Sequence, residues 1–217
     1  HKDEQLRSMH LSRSPVPALV LAEAPPPDGT PGTALERIRA RGVLRVGFVP
    51  DRVPFSFVNA RGDLVGMDIE LAEALARDLG LERVEFVPAD FERMRQLVAE
   101  RRIDLGMGMP YAGAALRGVS FSAPYLDGTL GLLVRDADRD RFAAVERLRD
   151  RRPVTIGLVY AAPGIEDLIR ASMPGVNLRI AALASPADWI EGRAPGVDAV
   201  AMLAETGAAW SILHPAY

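Results

Sequence analysis

Residues 102–125, RIDLGMGMPYAGAALRGVSFSAPY, run from an apolar strand into a small, Gly-rich turn, then to an arginine and a Phe-Ser-x-Pro-Tyr phrase. A guanidinium at Arg117 offers a planar, two-pronged donor that matches a carboxylate; the plain alternative is a surface arginine. Tyr111 brings a phenol that donates or accepts, or it is an ordinary half-buried tyrosine. Arg52 can stack on a flat molecule or pair with a carboxylate, or it points into solvent from the Asp51-Arg52 turn. After Tyr160, the small residues Ala161 and Ala162 let a backbone approach another molecule closely. Pro163 there suits a first helical turn, and the plain reading is a strand–helix loop. Met109 and Met202 offer adaptable apolar wall or simply pack in the core, as Met107 is expected to.

Other chemistries are thinly supplied. The 217 residues contain no cysteine, which excludes disulfides and thiolate metal sites. The three histidines are far apart in sequence, so neither a metal nor any other cofactor is expected. Net charge is −3 with scattered basic residues, and nothing resembles a nucleic-acid footprint. A composition of 48% hydrophobic and 25% charged residues is that of a packed globular chain. No run approaches the roughly 18–20 apolar residues that a membrane helix needs. Residues 15–22, PVPALVLA, lack the basic region and cleavage site of an export signal. A role outside the cytoplasm would therefore require a signal beyond this chain.

The elements that must position these groups alternate. Residues 1–34 read as a tail and a Pro/Gly-rich linker. A helix over 34–41 ends at Gly42, where a left-handed cap is easily adopted, and a buried strand follows over 43–49. Residues 55–58 and 63–65 pair around a turn. Asp68 caps a helix to about 79, whose stripe is Leu71, Leu75 and Leu79, widened by Ala72 and Ala76. Strand 83–87, helix 91–100 and strand 103–107 complete a βαβ series. A second series runs through strand 129–134, helix 140–149, strand 154–158, helix 164–172, strand 176–182, helix 186–191, strand 197–202 and helix 204–213. No internal repeat is evident.

The 102–125 stretch, read with VPFSFVNARGDLVGMDIELAEALARDLG at 53–80, resembles extracytoplasmic (periplasmic) solute-binding proteins of family 3 over about residues 35–217. The resemblance implies an α/β, two-lobed periplasmic-binding-protein-like (type II) fold, each lobe a mostly parallel sheet flanked by helices. Lobe one is expected at 35–125, and the hinge strand with lobe two at 126–217. The chain ends about where the family's C-terminal return to lobe one begins, so that return is expected to be missing. A ligand in this family lies between the lobes at strand carboxyl ends, which implicates 109–117 and 160–164. An Arg shortly after the 103–107 strand grips its carboxylate, a role that falls to Arg117, although the turn spacing differs. The hydroxyl that usually precedes that Arg is absent, and Tyr111 is placed to replace it. Arg52 stands where relatives carry a stacking aromatic. The acid that receives an α-ammonium maps to Leu203; Glu205 is the nearest substitute, or a helix-start glutamate stabilised by the helix dipole.

These readings imply a periplasmic or extracytoplasmic module, free or tethered to the inner membrane, that closes on a small carboxylate or amino-acid-like ligand and is read by a membrane transporter or sensor. Residues 1–14 and the linker resemble the join to a dicarboxylate/amino acid:cation symporter domain, which would place the partner in the same chain. Two alternatives share the fold: a cyclohexadienyl-dehydratase-like enzyme, for which Glu205 is the plausible acid, and a degenerate sensory domain that binds nothing tightly. If Arg117 is the carboxylate anchor, Arg117→Ala weakens carboxylate binding by about tenfold or more, read by calorimetry; unchanged affinity removes the assignment.

Overall fold

The computed structural model describes residues 2–10, 16–109, 118–149, 152–159 and 164–217. The chain divides into two compact units, His1–Pro110 with Ala115–Ala123, and Tyr111–Ala114 with Pro124–Tyr217.

The first unit opens with α1 (Lys2–Arg7) and β1 (Ala18–Val20), then α2 (Ala34–Arg41), β2 (Val43–Phe48), the hairpin strands β3 (Phe57–Val58) and β4 (Leu64–Val65), α3 (Met67–Asp78), β5 (Arg83–Pro88), α4 (Phe91–Ala99) and β6 (Leu105–Gly106). Its main sheet has the order β1-β5-β2-β6, with every neighbouring pair parallel. The local signals explain the helix ends. Thr33 and Glu36 form a reciprocal capping box on α2, and Gly42 ends it at φ 69°. Asp90 accepts from Arg93 N–H at the start of α4.

The segment read as a linker is tied to this unit. β1 adds to the edge of β5 in parallel register, Ala18 opposite Val84. Further on, Arg102 donates to the carbonyls of Ala24 and Pro25, and the Asp28 carboxylate pairs with Arg41. Earlier in the chain, the Arg7 and Met9 carbonyls accept from Ala60 N–H and the Asn59 amide. Backbone pairing and charge-assisted hydrogen bonds thus hold a stretch whose composition alone suggested a semi-rigid linker.

The second unit contains β7 (Leu130–Val134), α5 (Arg139–Phe142), β8 (Val154–Leu158), α6 (Ile165–Ser172), β9 (Leu178–Ala182), α7 (Pro186–Ile190), β10 (Ala199–Leu203) and α8 (Ala204–Leu213). Its sheet runs β7-β10-β8-β9, antiparallel at β7–β10 and parallel elsewhere. Central β10 is covered on both faces. Ala199 and Ala201 pack with Ile156 and Ile169, while Val200 and Met202 pack with Leu133 and Trp189. That is why its sequence is apolar at every position rather than at alternate ones.

Two expectations are corrected. The helix expected over 140–149 is α5 flanked by 3₁₀ turns at Asp136–Asp138 and Val145–Leu148, because Ala144 is extended (φ −151°) and interrupts the run. On α3 the core face is not the leucine stripe: Ile69, Ala72 and Ala76 are buried, while Leu71 and Leu75 are 39% and 38% exposed. Small alanines bring the helix close to the sheet, and that rotation turns Glu73 inward.

One arrangement recurs at a parallel strand pair of each sheet. In the first unit Asp104 N–H donates to Arg45 O, Arg45 N–H donates back to the Asp104 carboxylate, and Arg41 braces that carboxylate. In the second, Asp198 and Thr155 make the same exchange, braced by Arg141 and Arg152. The two units therefore share a device that their surrounding sequences conceal.

Glu73, only 3% exposed, generates a pH dependence. Burial pushes its carboxyl up from 4.5 to about 7; Arg77 offsets part of this, and Glu70 adds to it. Between about 4.5 and about 7 the folded protein holds a proton that the unfolded chain has released, so stability falls as pH rises through that window. Glu73→Gln should flatten the slope, stabilising the protein by on the order of 1–3 kcal/mol at pH ~8 and by little at pH ~4.5. Urea unfolding at the two pH values measures the difference.

Candidate functional site

Strand topology fixes where loops can gather within each unit. β2 and β6 are parallel neighbours, so residues 49–56 and the segment after Gly106 leave the same edge of the first sheet. β8 and β10 are parallel neighbours in the second, so the residues after Leu158 and after Leu203 leave a common edge there. Such carboxyl edges are where open α/β sheets take ligands.

On the first sheet the loop after β2 folds back on itself. Arg52 N–H donates to Ser56 O, Ser56 N–H returns to Arg52 O, and the Ser56 hydroxyl donates to Val49 O at 2.6 Å. This turns the Arg52 side chain inward, to 5% exposure, rather than into solvent. Its guanidinium lies 4.7 Å from the Phe55 ring centroid and 5.7 Å from that of Phe91. Nη1 donates to Gly108 O at 2.8 Å and stands 3.6 Å from the Asp68 carboxylate.

Asp68 has a different role from the one expected. The N-cap of α3 is Gly66, without a side-chain cap bond, and Asp68 is a 1%-exposed residue of the first turn, paired with Arg52. A buried arginine needs such a counter-charge, and the helix N-terminus also favours a carboxylate there.

Gly108 closes the group. It has φ +70°, and a Cβ placed on it would lie 2.1 Å from Arg52 Nη1 and 2.5 Å from Asp68 Oδ2. Sequence reasoning missed both Asp68 as a counter-ion and Gly108 as a point of close approach. The available signal was the doubled glycine of Gly106-Met107-Gly108-Met109.

Among the other expected residues, Met109 follows Gly108 directly and is half-buried, whereas Met107 belongs to the core. Met202, at 4% exposure, packs with Leu133, Trp189 and Val200 in the core of the second unit, as its plain reading had it. Tyr111, Arg117, Tyr160, Ala161 and Ala162 lie outside the described residues.

Glu205 is well defined. Its strand, β10, passes straight into α8, whose N-cap Leu203 makes no side-chain cap bond, and Ala204 N–H donates to Thr129 O. Glu205 stands in the first turn, and its Oε2 is buried with no hydrogen-bond partner among the described residues. A buried acceptor left unmatched is costly, so this oxygen is an open position for a donor. No group of three His, Asp or Glu among the described residues is arranged to hold a metal.

Residues 44–193 match the model of the bacterial extracellular solute-binding proteins, family 3. The chain belongs to that family. Among its relatives, the L-cystine-binding protein TcyJ of Escherichia coli is 27% identical over 146 residues, covering 67% of this chain and 53% of its own. The cyclohexadienyl dehydratase of Pseudomonas aeruginosa is 32% identical over 147 residues, covering 67% and 54%. The chain thus spans about half the length of the curated relatives it matches. A crystal structure of the ancestral amino acid-binding protein AncCDT-1, a precursor of cyclohexadienyl dehydratase, superposes with a TM-score of 0.70 at 29% identity, covering 83% of this chain and 78% of that one. The fold of this family 3 protein is therefore the type II periplasmic-binding one, with mainly parallel sheets flanked by helices.

Replacing Gly108 tests the close approach. Gly108→Ala should cost about 2–4 kcal/mol in chemical unfolding, because the added methyl meets the Arg52–Asp68 pair and the positive φ disfavours any side chain.

Proposed function

We propose that this chain is an extracytoplasmic receptor domain for a small amino acid or a closely related carboxylate. The contacts come from strand-end loops. Arg117, of the first unit, is the carboxylate anchor, and Tyr111 and Met109 are further candidate contacts. Tyr160, Ala161 and Ala162 supply close backbone approach from the second, and Glu205 receives the ligand's cationic group. The observation that carries this reading is the unmatched Oε2 of Glu205 at the head of α8. An ammonium is the donor that best compensates a buried carboxylate oxygen. Relatives named for binding amino acids and cystine point to the same class.

Ligand binding would favour a state that a membrane partner, transporter or sensor, can read. The docked segment before β2 is the natural route to such a partner if the two share one chain. A second reading rests on the dehydratase relative, which is 32% identical. There the buried Glu205 carboxyl would move a proton during the elimination of water from a prephenate-like compound, and turnover of that compound distinguishes it.

Thermal shift and calorimetry with amino acids, L-cystine and their deaminated analogues test the proposal. A ligand bearing both carboxylate and amine should raise the melting temperature. Glu205→Gln should weaken it by about tenfold or more, with deaminated analogues unaffected. Equal losses for both series would remove Glu205 as the ammonium site. No shift with any compound would favour a domain that keeps the fold without tight binding.

A further inference from the structure

At the end of β2 opposite the candidate site, the segment that Arg102 and Arg41 hold before α2 borders a cavity of about 340 Å³. That is the small end of the roughly 300–1,000 Å³ range of small-molecule sites. One wall is the held segment from Pro26 to Thr30; the other is Ala40, Arg41 and Arg45. Pro26, Pro27 and Ala40 contribute apolar carbon to it.

The charged side chains that line the cavity differ in how far they are satisfied. Asp28 accepts from Thr30 N–H at 2.9 Å and pairs with Arg41. All three Arg41 side-chain nitrogens are engaged, by Asp28, Asp104 and the Val43 carbonyl. Arg45 is not. Its Nε stands 3.4 Å from Glu85 and its Nη1 3.5 Å from Pro26 O, and among the described residues Nη2 has no partner. An N–H···O bond is best at about 2.9 Å, so both contacts are long. Glu85 has a nearer cation in Arg83, at 2.9 Å. The Arg45 side chain is only 16% exposed, so its charge is drawn largely out of water with most of its donors unspent.

We infer that this cavity is a second ligand site, for a small carboxylate with an apolar body. The carboxylate takes the Arg45 guanidinium, and the hydrocarbon lies against Pro26, Pro27 and Ala40. An anion is called for because the unspent polar group is a donor, whereas the lining carboxylate, Asp28, is already paired. Such a ligand touches the held segment and the body of the first unit at once. It therefore binds only when the segment is docked, and it keeps the segment docked. The site lies on the first unit alone and does not depend on the amino-acid binding proposed above.

The test is NMR of the full chain with benzoate, its uncharged counterpart benzamide, and inorganic phosphate. Benzoate should shift the amides of Asp28, Gly29, Thr30, Ala40 and Arg41 saturably, with benzamide and phosphate at least about tenfold weaker. Arg45→Gln should weaken benzoate about tenfold or more, and Arg45→Lys, which keeps the charge, by less. Glu85 retains Arg83 in both variants, so neither leaves a carboxylate unpaired. No saturable shift at these amides overturns the inference, as does unchanged affinity in Arg45→Gln. Equal binding of benzamide removes the anion, and equal binding of phosphate removes the apolar body. Docking is read by hydrogen exchange. Asp28 N–H donates to Arg101 O in the docked segment, and benzoate at about ten times its dissociation constant should slow that exchange about tenfold. Unaltered exchange at Asp28 with benzoate bound overturns the bridging role.

Discussion

A carboxylate at the head of one strand, exchanging hydrogen bonds with the backbone of its parallel neighbour, underlies both units. Asp104 does this for β6 against β2, and Asp198 for β10 against β8. In a parallel sheet a slip of one residue would send every side chain to the opposite face. A charged acceptor on a particular N–H fixes the register at the point where the strands begin. It thereby decides which residues stand at the far ends, where loops after β2 and β6, and after β8 and β10, emerge side by side. The candidate site lies at the opposite end of these strands from the groups that align them.

The two ends of the first sheet use charge differently. At the strand starts, Arg41 and Asp104 are partly open to water and backed by Asp28 from the preceding segment. At the strand ends, Arg52 and Asp68 are shut away from it. A partly solvated pair tolerates change in its neighbours; a desolvated one requires every partner to be in place. The end closed to water is the one where β6 leads into Met109, which agrees with the need to preorganise a binding group.

Much of this was readable in the sequence. The helix over 34–41 with its Gly42 cap was located by local chemistry alone, as were the strand alternation and α8 with Glu205 in its first turn. Family resemblance supplied the two-lobed fold. What the sequence concealed was long-range. Arg52 meets Asp68 sixteen positions on and Gly108 fifty-six positions on, and no periodicity connects them. Leu71 and Leu75 looked like a core stripe because leucine is the more apolar residue, whereas close packing on the sheet favoured Ala72 and Ala76. The linker composition of 24–33 described the flexibility of an isolated peptide, not its capture by Arg102 and Arg41.

That captured segment also limits the growth of the sheet. Without β1, the long strand β5 would present an open row of backbone donors and acceptors, a template on which another chain can pair. β1 occupies that row with only three residues, leaving Leu19 and Val20 outward. Three consecutive prolines, Pro25, Pro26 and Pro27, follow a few residues later. Proline has no N–H to offer, so these residues cannot prolong the new edge into a ladder that a neighbouring molecule could join. The result is a blunt margin that offers a neighbouring strand few backbone groups to pair with.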